Sequence, residues 1–536
     1  MLRLLPILLL FPLFAAAQPK TTLLPGFKDS QEEEHSLARD AKTGDIYMLF
    51  CEWEYVKGIV EYYEYSWDVE VLSKDLKQKR AANPKVLEMP KGQHASMGKL
   101  FSFNGNTFAI FFVYDRKKDM NVVYRAAVSE KGFGAFEEIG ILPGKYWERH
   151  QLQFAFSADS TRFLIAQYPI TNFPKMGGYS FLVLDQDCRL KTKGVLQMPT
   201  KSSPRLVGMP MVTNNGAIWA PVWTNKGSFR QEIWIWQDGS SQPQRIDASP
   251  LAGHVATDIQ LVQSPYDGYV YAGGVFAAAS GNSGKSIFWQ GGMLGKDKAS
   301  EQGTFVLKLD SKNGQILNRT THEFSEKTMR FWGKKTDILS KEEGINWLIM
   351  AAVIPNSDGS LWVVADQACV LNKQVKGVYN NPYFGARAYM QNRVQHGHES
   401  AILVRYGAQG ERMVEQVLGR SAWSFNRNSV KPLISPGPAG ELLLFYIGRA
   451  ENIEQPVLEE KDLKEYNANA MAAQKRKGCL GMACVYPDGK TTLKWLQDEK
   501  VDRFSPSNHL KINNNKSLVF YPEKGEKYGI IAIDWQ

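Results

Sequence analysis

Histidine and arginine are unevenly placed along this 536-residue chain. The run His396-Gly397-His398-Glu399 sets two imidazoles two residues apart beside a carboxylate. On extended backbone, residues two apart point the same way, so both rings could reach one ion, and a divalent metal is the cofactor this set would hold. His150 beside Arg149, and His254, are candidate general bases, while Arg149 and Arg427 could neutralise a carboxylate. Just upstream, the stretch VYNNPYFGARAYMQNR brings Tyr379, Tyr383, Arg387, Tyr389 and Arg393 together among amide side chains. Rings for stacking and polar groups for edges suit a glycan or a protein ligand. No nucleophile motif or phosphate-binding loop accompanies them. Glu148, Asp258, Asp366 and Glu399 are carboxylates whose spacing selects no pair for glycoside hydrolysis.

The elements that must position these groups come in repeats. SFNGNTFAIFF starts at Ser102, AFSADSTRFLIA at Ala155, MVTNNGAIWAPV at Met211 and VQSPYDGYVYAGG at Val262. VIPNSDGSLWVVA at Val353, ISPGPAGELLLFY at Ile434 and KINNNKSLVFY at Lys511 follow, and a worn copy starts at Ala38. Each is a pair of strand-like runs around a Gly, Asn or Asp turn, and a second hairpin follows it. Four strands per unit and a period of roughly 50 residues predict an all-β fold, a β-propeller of seven or eight four-stranded blades.

With the strands of a blade named A to D from the axis outward, A–B and C–D turns share one face, and B–C and D–A connections share the other. Four long connections fall on that second face, at 277–303, 321–347, 368–400 and 449–479. Loops this long in a compact domain are usually functional or disordered. The last is expected to hold a short helix from Pro456 to Lys477, acidic at its start and basic at its end. All eight histidines are expected on the same face, with Arg149, Arg205, Arg427 and Arg503 at its strand junctions. Crowded at the channel mouth, they would form a site for an anion or a metal.

The stretch TFVLKLDSKNGQIL, from Thr304 to Leu317, resembles repeats of quinoprotein-like propellers, in which a Leu-Asp turn links two outer strands. The tryptophan that often closes such a repeat is Asn318 here, and no quinone cofactor is carried over. The chain as a whole resembles exported bacterial propellers of an uncharacterised family, and that resemblance brings no activity with it.

The opening residues MLRLLPILLLFPLFAAAQPK read as a signal peptide: a basic Arg3, an apolar run from Leu4 to Phe14, and an Ala15-Ala16-Ala17 cleavage site. Residues 1–17 would be removed, leaving 18–536 as one propeller domain, secreted or periplasmic, with no transmembrane segment. Net charge is +9 without a long basic block, and export argues against nucleic acid as a partner. Five cysteines, an odd number, leave at least one thiol free, and Cys479 with Cys484 could close a small loop. The leading expectation is a propeller that binds a glycan or protein ligand through one loop-rich face. One alternative is a polysaccharide lyase or glycosidase acting on acidic polysaccharide through His150, His254, Arg149, Arg427 and Tyr383. Another is a structural or assembly component of the cell envelope.

Overall fold

The computed structural model describes the chain from Pro19 to Asp534, except for residues 29–35, 41, 57–61, 76, 80–94, 96, 104, 116, 119, 144–151, 168–177, 198–204, 207–208, 226–228, 238–239, 241, 279–300, 330–343, 382–384, 425–431, 449–477, 502–508, 514–515 and 524–526. Its strands form eight antiparallel sheets, each a blade. Seven blades run A to D in chain order. Blade 4 differs in that its inner strand comes in two pieces, Arg205–Leu206 and Met211–Val212, both paired with Ile218–Asn225. Blade 8 takes strands A to C from the end of the chain, as His509–Asn513, Lys516–Glu523 and Lys527–Asp534. Its outer strand is Lys20–Lys28, paired so that Lys20 lies opposite Asp534. The last repeat thus forms a blade of its own, and the first strand of the chain completes it.

The repeat is written in turn chemistry. In blade 6 the amide of Asn356 donates to Ser360 O and the amide of Gly359 donates back to Asn356 O, while Asp358 Oδ1 accepts from the Ser360 amide at 2.9 Å. Thr213, Asn215 and Gly216 in blade 4, and Ser264, Asp267 and Gly268 in blade 5, form turns of the same kind. Short polar side chains that bond their own backbone favour such turns, and Gly359 has φ +79°, a conformation that costs glycine little. The Leu-Asp stretch is likewise a turn between strands C and D of blade 5, where Asp310 Oδ1 caps the amide of Lys312 at 2.7 Å.

Each blade is packed between two neighbours, so both its faces are buried. The run Leu442–Tyr446 in blade 7 therefore reads as unbroken apolar sequence. Strand alternation sorts it: Leu442, Leu444 and Tyr446 pack toward blade 6, while Leu443 and Phe445 pack toward blade 8. Eight apolar clusters among the described residues fill the eight gaps between blades. One of them joins Ile46 and Met48 of blade 1 to Leu518 and Ile530 of blade 8 and so closes the ring.

The expected helix of 456–477 lies outside the described residues. Among the described residues a single short helical turn, 326–329, sits in the connection between blades 5 and 6. The suggested Cys479–Cys484 loop is corrected. Both residues lie on one strand, Gly478–Val485, where five residues of extended chain span roughly 16 Å, too far for a disulfide. Cys484 is a free thiol buried against blade 8, and Cys188 is a second buried free thiol. No described helix is long and apolar enough to cross a membrane.

Candidate functional site

Blade 6 carries the feature that sets this propeller apart. Its strands are Gly344–Pro355, Leu361–Asn381, Gly385–Tyr406 and Arg412–Ser424. The segment expected as an inserted loop at 368–400 is a continuation of strands B and C. Strand A follows strand B as far as Leu371, and strand D follows strand C back to His396. Beyond that base, Asn372–Asn381 and Gly385–Val394 continue alone as a two-stranded ribbon from the pair Asn372–Val394 to the pair Asn381–Gly385. Ten residues of strand make it roughly 30 Å long. It rises from the face that holds the B–C and D–A connections. A hairpin alone in water is marginally stable, and the four-stranded base anchors this one.

The register sorts the ribbon into two faces. Tyr379 is paired with Arg387, Gly377 with Tyr389, and Lys373 with Arg393. These pairs are separated by even numbers of residues along each strand, so their positions share one face. Four of the five residues expected to bind ligand therefore fall on a single face, with Lys373 added to them. The positions of the other face include Lys376 and the apolar Val370, Val378, Ala388, Met390 and Val394. Tyr383 lies outside the described residues. From Gln367 to His398 the sequence has four Lys or Arg residues and no Asp or Glu.

His396 and His398 belong to the base, paired with Val370 and Ala368. They are two apart on one strand, as the metal reading needs. Glu399 falls within a register shift between His398 and Ser400, which breaks the alternation that would relate it to them. Among the described residues no group of three or more His, Cys, Asp or Glu side chains is placed to hold a metal.

The expected crowd of histidines does not assemble from the described rings. His254 does open strand A of blade 5, with its Nδ1 3.3 Å from Ala252 O and its ring edge-on to Phe276 of its own blade. His322 stands near the end of strand D in that blade, yet its Nε2 lies 3.1 Å from Gly410 O in the C–D turn of blade 6. Its ring also lies against Tyr406. Outer strands lean across the neighbouring blade, so the end of a D strand meets that blade's outer turn instead of the channel mouth. His509 starts strand A of blade 8, and Arg205 lies in the inner strand of blade 4. His35, His94, Arg149, His150, Arg427 and Arg503 lie outside the described residues.

Two carboxylates do meet beside the ribbon base. Asp258 Oδ2 accepts from the amide of Met350 at 2.7 Å, and Glu301 accepts from the amide of Leu348. Both bonds cross from blade 5 to the inner strand of blade 6. Glu301 is 1% exposed, and its Oε2 has no hydrogen-bond partner. Burial pushes its carboxyl up to about 8, against the amides that bond it, and Asp258 adds to the rise. Gln231 has the matching role at the joint between blades 4 and 5: its Oε1 accepts from the Ala256 amide at 2.7 Å and its Nε2 donates to Ala256 O. Buried this deeply, Glu301 meets no ligand, and the pair serves the joint between blades. Sequence spacing had offered Asp258 and missed Glu301, because only the next blade buries it. Asp366, another carboxylate offered by sequence, is also buried, at 1% exposed.

No family model and no curated protein matches the sequence. Among solved structures the chain is similar to the Dos1 propeller, at 9% identity over 96% of this chain and 95% of that one, with a TM-score of 0.42. It is similar to the polysaccharide lyase Uly1 at 9% identity, over 95% and 100% of the two chains, with a TM-score of 0.36. It is also similar to prolyl oligopeptidase B from Galerina marginata, at 11% identity over 96% of this chain, with a TM-score of 0.38. The chain spans 56% of that oligopeptidase. These are likenesses of fold, and no activity comes to this chain with them.

Proposed function

We propose that this chain is an exported β-propeller that binds an extended ligand, a glycan or a protein segment, along the blade 6 ribbon. The observation that carries the reading is the register, which gathers Tyr379, Arg387, Tyr389, Arg393 and Lys373 positions onto one face of a projecting hairpin. Rings and guanidiniums of this kind, fixed on a strand pair with a four-stranded base, form a better-ordered contact surface than the same residues on a loop. Export is supported by the basic, apolar and small-residue order of residues 1–17. Amino-terminal sequencing of the mature protein tests export, with Gln18 expected first.

Binding is tested by shortening the ribbon. Residues 369–397 are replaced by Asn-Gly, so that Ala368 and His398 close a two-residue hairpin. The shortened protein should unfold as cooperatively as the parent and lose binding to whichever immobilised glycans or proteins the parent retains. Retention of that binding refutes the reading.

A further inference from the structure

We propose that the ligand of the ribbon is an acidic polysaccharide, laid along the face that holds positions 373, 379, 387, 389 and 393. The inference rests on the ribbon being the binding surface and adds the chemistry of what it binds. Its first support is charge. From Gln367 to His398 the chain has four Lys or Arg residues and no acidic residue, whereas the whole chain has 64 Lys and Arg against 55 Asp and Glu. A run of 32 residues with one sign of charge is out of keeping with that near balance. It rises on a projecting hairpin, where its field reaches solvent and attracts polyanions.

The second support is phase. Lys373, Arg387 and Arg393 share their face with Tyr379 and Tyr389 by register, so cation and ring positions lie together on it. On this face the Lys373–Arg393 rung and Arg387 lie six residues apart, roughly 20 Å, so an extended polyanion laid along it meets cations at both ends. The third support is the amides. Eight Asn or Gln residues lie between Gln367 and Gln395. Each amide both donates and accepts, which suits hydroxyl groups. Acidic polypeptide would use the cations and leave the ring positions without a role. The ribbon's other face has one cation position, Lys376, and no ring position, so the face with three cations and two tyrosines is the one assigned to the ligand.

The test uses the full mature chain and four probes: polygalacturonate, heparin, dextran and poly-glutamate. Dissociation constants are measured at low and moderate salt for the parent, R387E/R393E, R387Q/R393Q, Y379A/Y389A and the shortened ribbon. Thermal midpoints verify folding, and the glutamine pair serves if the charge reversal unfolds the chain. The parent is expected to bind polygalacturonate or heparin and not dextran, with affinity falling as salt rises. The arginine variants should bind at least tenfold more weakly. The tyrosine variant should bind several-fold more weakly, with unchanged salt dependence. Dextran binding that is lost on shortening but indifferent to the arginines overturns the acidic sugar and leaves the binding surface standing. Poly-glutamate binding as tight as polyuronate binding, and indifferent to the tyrosines, overturns the glycan in favour of an acidic protein. If the shortened chain matches the parent on every probe, the binding surface itself falls.

Discussion

Replacing Glu301 by Gln should abolish one pH dependence of stability and raise stability at neutral pH. The carboxyl ordinarily titrates near 4.5 and is pushed up to about 8 in the folded chain by burial. Folded protein thus keeps a proton that the unfolded chain gives up. Stability contributed by this group is complete below pH 4.5, declines as pH rises through the window to about 8, and is flat above it. One proton corresponds to about 1.4 kcal/mol per pH unit. The cost relative to an uncharged side chain is therefore about 3 kcal/mol at pH 7 and about 5 kcal/mol above pH 8. Glutamine keeps the shape and the oxygen that accepts from Leu348, and it cannot ionise. Urea unfolding of parent and E301Q from pH 5 to 8.5 gives the difference directly, and titrating groups that do not interact with Glu301 cancel. The curves should meet near pH 5 and diverge with the variant more stable. A difference that does not change with pH, or a variant less stable at pH 8, refutes the argument.

Phe445, fully buried between blades 7 and 8, should cost about 3–5 kcal/mol when cut to Ala, read from the urea midpoint. Gly359→Val should lower stability measurably in the same assay, because φ +79° is unsuited to a β-branched residue. Cys188 and Cys484 should react with a thiol reagent only after unfolding, since both are buried and burial pushes both thiols up to about 12. Arg405→Ala should destabilise the joint between blades 6 and 7, because the buried guanidinium ties Asp358 and Ser360 to Pro487 O. Hydrogen exchange should quicken in both blades.

The blades were legible because their turns are local. Ser264, Asp267 and Gly268 make a turn from their own side chains and backbone, and no distant residue is needed to recognise it. The eighth blade's outer strand was not legible, since Lys20–Lys28 carries no repeat and pairs with residues some five hundred positions away. The ribbon was half legible. Its tyrosines and arginines stood out, but read as a loop they had no common phase, and Lys373 gave no separate signal. Pairing across the hairpin supplied the phase. His322 was misplaced because the lean of an outer strand over the next blade is set by packing that sequence order does not contain.

The joint between Lys20–Lys28 and Lys527–Asp534 closes the ring of blades by hydrogen bonds and brings the start of one strand beside the end of the other. Lys20 lies opposite Asp534, so these two strand ends are separated by little more than a strand spacing. A short bridge could join them, and a new opening could be cut in any A–B turn without unpairing a strand. The choice of cut also sets the order of assembly during synthesis. In the natural order, the strand made first has no partner until the strand made last emerges. A permutant opened in the turn at Asn356–Ser360 would have blade 8 complete before its own last strand is made. Comparing its refolding rate with the parent's would measure how long the natural first strand waits.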